Sequence, residues 1–222
     1  MPAPLSVIIP TLSAGDRLQD CLVALMEGLE AGLIADLVVS DGGSTDDSVA
    51  IADAWGAHIV NGPASRGGQL RRGCEAAKGA WFLVLHADTV LEPGWTQAVG
   101  AHLKSHKAGY FRLRFDRGGR VVAAWANLRA KLFGLPYGDQ GLLVPRSLYT
   151  RVGGYRDMPL MEDVAMARAL KGQLVALDAV AVTCADKYHA QGWVRRGSRN
   201  LWTLLRYFTG ADVAALARAY RQ

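Results

Sequence analysis

The stretch AWFLVLHADT, residues 80–89, decides the fold because an apolar strand pattern in it ends at an acidic residue. Six consecutive apolar residues, Ala80–Leu85, predict a β-strand buried on both faces, which is typical of parallel sheets. The run is followed by His86 and Asp88. Open α/β sheets bind ligands beyond the carboxyl ends of their strands, so Asp88 is a candidate ligand-binding carboxylate. A lone Asp after a strand also caps turns, here 89–93, and this segment by itself favours that second interpretation.

The length and composition predict one sizeable domain in a reducing compartment. The chain has 222 residues, of which 50% are apolar, and its 25 glycines are typical of loop-rich α/β enzymes. Three widely spaced cysteines without a CxxC pair argue against a disulfide framework or a zinc site. No apolar run approaches the roughly 20 residues of a membrane span, and the start MPAPLSVIIP lacks the basic region of a signal peptide. We therefore expect a cytoplasmic protein.

The net charge of +5 is concentrated at one end of the chain. Residues 187–222 contain seven Lys and Arg against one acid, whereas residues 1–186 contain 18 basic and 19 acidic residues. A nucleic-acid-binding surface would spread positive charge over the folded body, so this distribution argues against a nucleic-acid partner.

Strand and helix patterns alternate through the first 90 residues. Strands are predicted at 6–10, 37–40, 58–60 and 80–85, with helical spacing of apolar residues between them. This order predicts a parallel, right-handed, doubly wound half and an α/β fold class. The second half is more mixed. Its predicted elements are helices at 95–103, 121–133 and 164–170, strands at 109–115 and 141–145, and one or two strands at 174–183.

Other polar residues are candidates for chemistry, and each also has a purely structural interpretation. Asp41 follows the second predicted strand, and the glycines behind it suit either close approach to a ligand or a capped turn. Arg66 precedes two glycines and suits either a phosphate contact or a solvated loop. The pair Glu162-Asp163 starts a predicted helix, where acids either stabilise the helix dipole or act as a general base. Asp139, in a loop, is open to the same two interpretations.

The order of these segments along the chain resembles that of a known protein family. The runs SVIIPTL at 6–12, VVSDGGSTDDS at 38–48, GAWFLVLHADT at 79–89, and GGY followed by MED at 153–163 resemble a family-2 glycosyltransferase of the GT-A fold. The resemblance covers roughly residues 5–185. HADT, YGDQG and the GGY…MED segment further resemble a bacterial subgroup, the radical-SAM/selenodomain-associated transferases.

The resemblance implies a domain organisation. A single GT-A domain, with a Rossmann-like and mostly parallel central sheet flanked by helices, would span residues 1–190. Its nucleotide-binding half would cover about 1–90 and its acceptor half about 91–190. A C-terminal helical tail would follow at 191–222.

Carried over residue by residue, the resemblance also implies a donor site. Pro10 and Thr11 would line the pocket of a nucleotide base, and Asp41 would accept a hydrogen bond from that base. Arg66 would contact the base or a phosphate. Asp88 matches the last acid of the family's DxD motif, which coordinates Mn²⁺ or Mg²⁺ against the donor diphosphate. Such an ion, held by one or two carboxylates, neutralises charge in the leaving group.

The remaining implied roles concern catalysis and metal binding. Asp163 matches the catalytic base, with Glu162 as the other acid of the pair. The base would remove the acceptor hydroxyl's proton as that oxygen attacks the anomeric carbon in line, which inverts the configuration there. His86 stands where the family has the first acid of DxD, and an imidazole brings no negative charge. His189 is a further candidate metal ligand, with a surface histidine as the alternative.

The tail at 191–222 predicts a basic amphipathic helix. Leu201, Leu204, Leu205 and Phe208 recur at helical spacing and arginines accompany them. Such a helix packs on the core or on a second subunit, as in a homodimer. Alternatively, it lies on an anionic membrane surface near a lipid-linked acceptor.

The sequence therefore predicts a metal-dependent, inverting glycosyltransferase that uses a UDP- or GDP-sugar and an unidentified acceptor. A non-catalytic nucleotide-sugar-binding protein is the first alternative, because His86 replaces an acid of DxD. A sugar nucleotidyltransferase is the second, but it needs a lysine-containing loop after the first strand, and residues 11–15 contain no lysine. The chain also lacks a GxGxxG fingerprint and a GxxxxGK[ST] loop, which argues against ordinary dinucleotide binding and P-loop chemistry.

Overall fold

One mixed sheet organises the computed structural model, which describes residues 3–221 apart from the side chains of Asp16 and Arg221. Its strands are β1 (Leu5–Thr11), β2 (Ile34–Asp41), β3 (His58–Asn61), β4 (Trp81–Val84), β5 (Thr89–Leu91), β6 (Ala108–Phe115), β7 (Leu142–Pro145) and β8 (Leu174–Thr183). Their order across the sheet is β3-β2-β1-β4-β7-β6-β8-β5.

The first half of the sheet is the parallel unit that the alternating pattern predicts. β1 pairs in parallel with both β2 and β4, and β2 pairs in parallel with β3. The register aligns Ile8 with Val38 on one side and with Val84 on the other. The carboxyl ends of the three strands therefore meet at one edge, where Asp41 and the turn containing Asp88 lie on either side of the end of β1.

The second half reverses the chain direction at β7. This strand runs antiparallel to both β4 and β6, and β6 is parallel to β8. Because β7 runs against β4, its amino end lies beside the carboxyl end of β4. The loop that precedes β7 is thereby brought to the same edge of the sheet, and the sheet as a whole remains mostly parallel.

Helices cover both faces of the sheet. They are α1 (Gly15–Glu30), α2 (Ser48–Ala54), α3 (Arg66–Ala76), α4 (Trp95–His102), α5 (Arg120–Phe133), α6 (Arg146–Arg151), α7 (Glu162–Ala169), α8 (Asp186–Gln191), α9 (Trp193–Phe208) and α10 (Val213–Arg221). Leu22 and Trp95 belong to one buried apolar cluster, and Leu70 and Tyr149 belong to another. Over the described residues, every helix is too short or too polar to cross a membrane.

Most predicted elements are present within a few residues, and one strand is additional. The segment 89–93, for which a capped turn is the favoured interpretation, contains β5, which pairs antiparallel with β8. A three-residue strand is too short for its periodicity to be recognised, and its hydrogen-bond partner lies about 90 residues away in the chain. The segment 174–183 is the single strand β8.

The tail at 191–222 forms two helices in place of one, α9 and α10, and α8 directly precedes them. Gly192 and Gly210 separate them with positive φ values of 83° and 85°, which favour glycine and end a helix. The inner face of the tail packs on the body of the protein, where Leu204 of α9 and Leu216 of α10 are buried against Leu160. This packing agrees with the interpretation of the tail as a core-packed helix.

Candidate active site

A cavity of about 490 Å³ opens at the edge where β1 and β4 end. Its wall includes the end of β1, the turn after β4, the start of α3, the end of β6, the turn before β7 and the segments around α7 and α8, with one side chain each from α9 and α10. Of the predicted site residues, those on the wall are Pro10, Arg66, His86, Asp88 and Glu162. The predicted residues outside this wall are Thr11, Asp41, Asp163 and His189.

His86, Asp88 and Asp139 form a compact group on the cavity wall. One nitrogen or oxygen atom of each lies within 4.8 Å of those of the other two. Asp139 belongs to a short 3-10 turn, Gly138–Gln140, directly before β7. Antiparallel pairing of β7 with β4 delivers this turn to the end of β4, so the third member of the group depends on strand pairing.

The imidazole of His86 is held by contacts on two sides. Its Nδ1 lies 3.0 Å from Oδ1 of Asp139. A Cβ atom added at Gly138 would lie 2.3 Å from Nε2 of His86, so only glycine leaves room for the ring. Burial by itself would lower the pKa of His86, but the hydrogen bond and charge of Asp139 raise it overall. Burial likewise acts to raise the pKa of Asp139, yet the interaction with His86 lowers it to about 2.

The chemistry of this group fits a divalent cation. Mn²⁺ accepts imidazole as well as carboxylate ligands, and Mg²⁺ binds through one or two carboxylates while retaining water. Among the side chains that the structure describes, no other group of three His, Cys, Asp or Glu residues meets in this way. His86, Asp88 and Asp139 are therefore the residues that could hold Mn²⁺ or Mg²⁺ here.

The two acids at the start of α7, Glu162 and Asp163, have different surroundings. Glu162 is 1% exposed, lines the cavity, and has an Oε2 atom without a hydrogen-bond partner in the described structure. Asp163 instead accepts the backbone N–H of Gly138 at 2.8 Å and that of Val164 at 2.7 Å. Met161, directly before the pair, has a φ of 65°, a strained value for a residue with a side chain.

Their surroundings give the two acids different chemistry. Burial and the neighbouring Asp163 carboxylate raise the pKa of Glu162 to about 7, while the charges of Arg66 and His86 act to lower it. A carboxyl group that titrates near neutral pH is suited to accept a proton. Asp163 faces the turn at Gly138 and lines a smaller cavity of about 80 Å³ together with Arg66, His86 and Asp139. Both acids therefore border the site, Glu162 on the cavity of about 490 Å³ and Asp163 on the smaller one.

Arg66 provides a positive charge opposite these acids. It is the first residue of α3, and Ser65 caps that helix by accepting the backbone N–H of Gly68 at 3.4 Å. Burial would lower the pKa of Arg66, but the charges of Glu162 and the acids near it raise it. No salt bridge within 4.0 Å engages Arg66 among the described side chains, so its guanidinium is available to an anion.

Asp41 lies at the end of β2 and caps its own turn. Its carboxylate is 3% exposed and accepts the backbone N–H groups of Gly43 at 2.7 Å and Ser44 at 2.9 Å. It also accepts the hydroxyl of Ser44 at 2.5 Å. Both carboxylate oxygens are engaged in this turn, as the capping interpretation predicts.

The backbone at the end of β1 is held by a residue that sequence reasoning missed. Gln69, which is buried, donates through Nε2 to the carbonyls of Thr11 at 2.8 Å and Ser40 at 2.9 Å. It thus ties the ends of β1 and β2 together beside Pro10. The sequence feature that could have indicated this role is the position of Gln69 next to the apolar Leu70, on a helix that packs on the sheet. The hydroxyl Oγ1 of Thr11 is buried without a hydrogen-bond partner in the described structure.

The structure does not bring His189 into the group formed by His86, Asp88 and Asp139. The residue is exposed on α8, and its ring packs edge-on against Trp193 with 5.4 Å between the ring centroids. This arrangement supports the surface interpretation. The side chain that joins His86 and Asp88 in this group is that of Asp139.

Comparison with known sequences identifies the family. The profile of Glycosyl transferase family 2 matches residues 6–158, more than half of the chain. The chain belongs to glycosyl transferase family 2. The family-2 match ends before α7. Glu162, Asp163 and the basic residues of the tail therefore lie outside it, and their geometry alone supports a role for them.

Family-2 relatives include proteins called PGL/p-HBAD biosynthesis glycosyltransferase. Those of Mycobacterium bovis (strain BCG / Pasteur 1173P2) and Mycobacterium tuberculosis (strain ATCC 25177 / H37Ra) are each 34% identical to this chain over 116 residues. The alignment covers 48% of this chain and 44% of each relative. The chain thus matches less than half of the length of these proteins.

Solved structures share the fold of this family-2 chain. TarS 1–349 of S. aureus, in complex with UDP-GlcNAc, has a TM-score of 0.65 at 14% identity and covers 81% of this chain and 58% of its own. Glucosyl-3-phosphoglycerate synthase of Mycobacterium tuberculosis, in complex with Mn²⁺, UDP and glucosyl-3-phosphoglycerate, has a TM-score of 0.60 at 21% identity. That alignment covers 95% of this chain and 81% of the synthase chain. The α/β fold with a mostly parallel sheet flanked by helices is confirmed.

Proposed function

We propose that this chain is an inverting glycosyltransferase that moves a sugar from a nucleotide-diphosphate sugar to an acceptor hydroxyl, assisted by a divalent metal ion. The observation that carries the proposal is one cavity that combines the His86–Asp88–Asp139 group with Glu162 and Arg66. Relatives named as glycosyltransferases, and structural neighbours in complex with UDP or UDP-GlcNAc, support a UDP-sugar ahead of a GDP-sugar.

The donor diphosphate would lie at the end of β4. His86, Asp88 and Asp139 would hold Mn²⁺ or Mg²⁺, which supplies positive charge that stabilises the departing diphosphate when it is bound. Arg66 adds a fixed positive charge on the same wall and would contact the donor phosphates. These residues come from separate elements, so the donor's charge would be neutralised by groups that folding has already oriented.

The nucleotide base would lie at the ends of β1 and β2. Pro10 and Thr11 would line it through their backbone, which Gln69 holds in place. Asp41 would accept a hydrogen bond from the base through an oxygen that it shares with its own turn. This role for Asp41 is compatible with its capping role, because each carboxylate oxygen has more than one lone pair.

The acid pair would supply the general base. The resemblance to the family favours Asp163, whereas the cavity wall, the unpartnered Oε2 and a pKa of about 7 favour Glu162. We assign proton removal from the acceptor hydroxyl to Glu162. Asp163 would hold the turn at Gly138 and keep Glu162 basic through its negative charge. The groups facing Glu162 in this argument are Asp163, Arg66, His86 and Tyr155.

The test compares turnover of UDP-sugars, with and without Mn²⁺, in the wild-type chain and in the Glu162→Gln and Asp163→Asn variants. We expect Glu162→Gln to lower kcat by about 10²-fold or more while UDP binding is retained. Asp163→Asn should lower kcat less and move the rising limb of the pH profile below pH 7, because it removes a charge that raises the pKa of Glu162.

Three outcomes would change this assignment. The opposite ranking of the two variants would make Asp163 the base. Nucleotide-sugar binding without any turnover would favour the non-catalytic binding protein. Formation of a nucleotide sugar from a nucleoside triphosphate and a sugar phosphate would favour the nucleotidyltransferase.

We further propose that the protein acts in the cytoplasm at an anionic membrane surface. Apolar side chains are exposed at helical spacing on two neighbouring helices; they are Val121, Trp125, Leu128 and Leu132 on α5 and Leu201, Trp202, Leu205 and Phe208 on α9. The two helices adjoin at their amino ends, where Trp193 packs against Gly119. Arginines of α9 flank the apolar side chains, and such a combination suits anionic lipid.

Sedimentation with phosphatidylglycerol vesicles at low and high salt tests this surface. We expect binding at low salt, and we expect Trp202→Ser to weaken it while Val23→Ser, another exposed apolar position on α1, does not. Absence of binding at low salt would contradict the proposal. A dimer in sedimentation velocity that Trp202→Ser disrupts would assign the surface to a homodimer instead.

Membership of the radical-SAM/selenodomain-associated subgroup is a further proposal, supported by the segments HADT, YGDQG and GGY…MED. It would leave the acceptor undefined. The acceptor therefore has to be inferred from the cavity itself.

A further inference from the structure

A second cavity of about 400 Å³ lies beside the first. One side of it is formed by α8, α9 and α10, and the other by the start of α3. It shares Arg66, Lys187, Arg196 and Tyr220 with the principal cavity, so the two adjoin along a common wall. Arg199 lines the second cavity but not the first. We call this second space the basic cavity.

The charges on the wall of the basic cavity are all positive. They belong to Arg66, Lys187, Arg196 and Arg199, and the described residues of this wall include no Asp or Glu. The principal cavity, in contrast, combines basic residues with several acids. A cavity lined by charges of one sign concentrates ions of the opposite sign. The basic cavity therefore selects for an anionic group.

Two arginines of α9 share one neutral acceptor in this cavity. Oε1 of Gln191 accepts from Nη1 of Arg196 at 3.0 Å and from Nη2 of Arg199 at 2.5 Å. Arg196 is only 8% exposed, and the Nε atoms of both arginines are buried without a hydrogen-bond partner in the described structure. Tyr220 lies against both guanidiniums.

This arrangement of donors is suited to an anion. Two guanidiniums that meet on one amide oxygen repel each other, and Gln191 brings no charge to offset the repulsion. Buried donors without a partner also lose the hydrogen bonds that they would make to water. A bound anion would provide both the missing charge and the missing acceptors.

We propose that the basic cavity binds a phosphate group carried by the acceptor substrate. The inference rests on the proposed glycosyl transfer and identifies the acceptor as a phosphate-bearing alcohol. Planar guanidiniums match phosphate oxygens with paired, charge-assisted hydrogen bonds, which Arg196 and Arg199 are placed to donate. The shared wall would let a hydroxyl of the same molecule reach Glu162.

The donor diphosphate is a separate ligand group. Its proposed place is at His86, Asp88 and Asp139, and none of these three lines the basic cavity. Arg199 lines only the basic cavity and therefore distinguishes the two phosphate positions. Arg195 of the same helix is exposed and lines neither cavity, so it offers a matched loss of charge.

The experiment measures binding of inorganic phosphate and of glycerol 3-phosphate to the full chain by calorimetry, without metal or nucleotide. We expect Arg199→Gln to weaken phosphate binding at least tenfold and Arg195→Gln to change it less than twofold. Equal effects of the two variants, or no phosphate binding by the wild-type chain, would overturn the proposal. Circular dichroism verifies that both variants are folded.

A second titration separates the acceptor phosphate from the donor. Phosphate affinity should stay within twofold when UDP and Mn²⁺ are bound first. Competition between UDP and phosphate would assign the basic cavity to the donor and overturn the proposal. Turnover of the UDP-sugar without acceptor reports on the proposed function by itself, so the two ideas fail independently.

The source of the phosphate is decided by two parallel arms. Binding to phosphatidic acid in phosphatidylcholine vesicles is compared between Arg199→Gln and Arg151→Gln, a change at an exposed arginine of α6 that lines neither cavity and lies outside α9. A selective loss with Arg199→Gln in vesicles assigns a lipid phosphate. A selective loss confined to glycerol 3-phosphate assigns a soluble phosphate ester. Either result supports the site. If Arg199→Gln causes no selective loss in either arm, the proposal is contradicted.

Discussion

The ends of β2 and β4 flank the same strand, and each carries an aspartate, yet the two acids are in opposite situations. Asp41 is buried, and its own turn donates three hydrogen bonds to it. Asp88 lies on a cavity wall beside His86 and Asp139, and the described structure contains no hydrogen bond to its carboxylate. A carboxylate that already accepts hydrogen bonds from its own turn mainly stabilises the fold and keeps fewer lone pairs for a ligand. One whose acceptors are free can bind a ligand.

The sharpest test of this difference exchanges each acid for its amide. Asp88→Asn should lower Mn²⁺-dependent turnover of the UDP-sugar by about 10²–10³-fold with an unchanged melting temperature, because a metal ligand loses its charge. Asp41→Asn should mainly destabilise the fold, by about 1–3 kcal/mol, because an amide group would face backbone N–H donors.

Turnover and urea unfolding of both variants measure these effects, and a chelator should lower wild-type turnover to the level of Asp88→Asn. If Asp41→Asn lost more turnover than Asp88→Asn at equal stability, the division between the two strand ends would be wrong.

A second test concerns the buried acid that lacks a partner. The pKa of Glu162 rises on folding from 4.5 to about 7, so the folded state loses stability as pH rises from 4.5 through 7. Glu162→Gln should therefore raise the free energy of unfolding by roughly 2–3 kcal/mol at pH 8 and by almost nothing at pH 4.

Urea titrations at the two pH values check this prediction. Glu75→Gln, at an exposed glutamate, is the control and should change stability by less than about 0.5 kcal/mol. A loss of stability in Glu162→Gln at pH 8 would mean that the carboxylate has a structural partner after all.

A third test moves the imidazole without changing any candidate ligand. The Cβ of Gly138→Ala would collide with Nε2 of His86 and displace the ring from Asp139. We expect Mn²⁺ affinity to fall about 10–100-fold, as it does when outer contacts of metal ligands are lost. Electron paramagnetic resonance of added Mn²⁺ measures it, and Gly100→Ala, at a glycine with open space around it, is the control. Equal affinities in both variants would exclude His86 from the site.

The last test concerns Gln69, whose side chain joins the ends of β1 and β2. Gln69→Ala leaves the carbonyls of Thr11 and Ser40 without their side-chain donor and should cost about 1–3 kcal/mol of stability. Gln97→Ala, at an exposed glutamine on α4, should cost far less. UDP affinity of both variants, measured by calorimetry, shows whether the backbone beside Pro10 also positions the nucleotide. No difference between the two variants would contradict the bridging role.

The sequence predicted the parts of the molecule whose signals are local. Apolar runs mark β1 and β4 because these strands are buried on both faces of the sheet, and shorter apolar runs mark β2 and β3. Prediction was weaker where a partner distant in the chain decides the outcome. β5 is a strand only because β8 lies beside it. The break between α9 and α10 is a different case, because it is caused locally by Gly210 and the helical spacing of the apolar residues did not show it.

The candidate site divides in the same way. Asp88 and the pair Glu162-Asp163 were candidates because of their positions after a strand and at a helix start, and only the resemblance to the family gave them roles. Asp139 became a neighbour of His86 only through the antiparallel pairing of β7 with β4. His189 was a plausible ligand by position, but α8 turns it toward Trp193.

By itself, the sequence determined the α/β class, the strand ends that carry Asp41 and Asp88, and the basic character of the tail. The tertiary structure decided which acid keeps free oxygens, which acid of the pair at α7 faces the cavity, and how the tail arginines form a second cavity. The physical reason is that burial, hydrogen-bond partners and nearby charges set the chemistry of an ionisable side chain. All three come from segments that are distant in the chain and meet only in the fold.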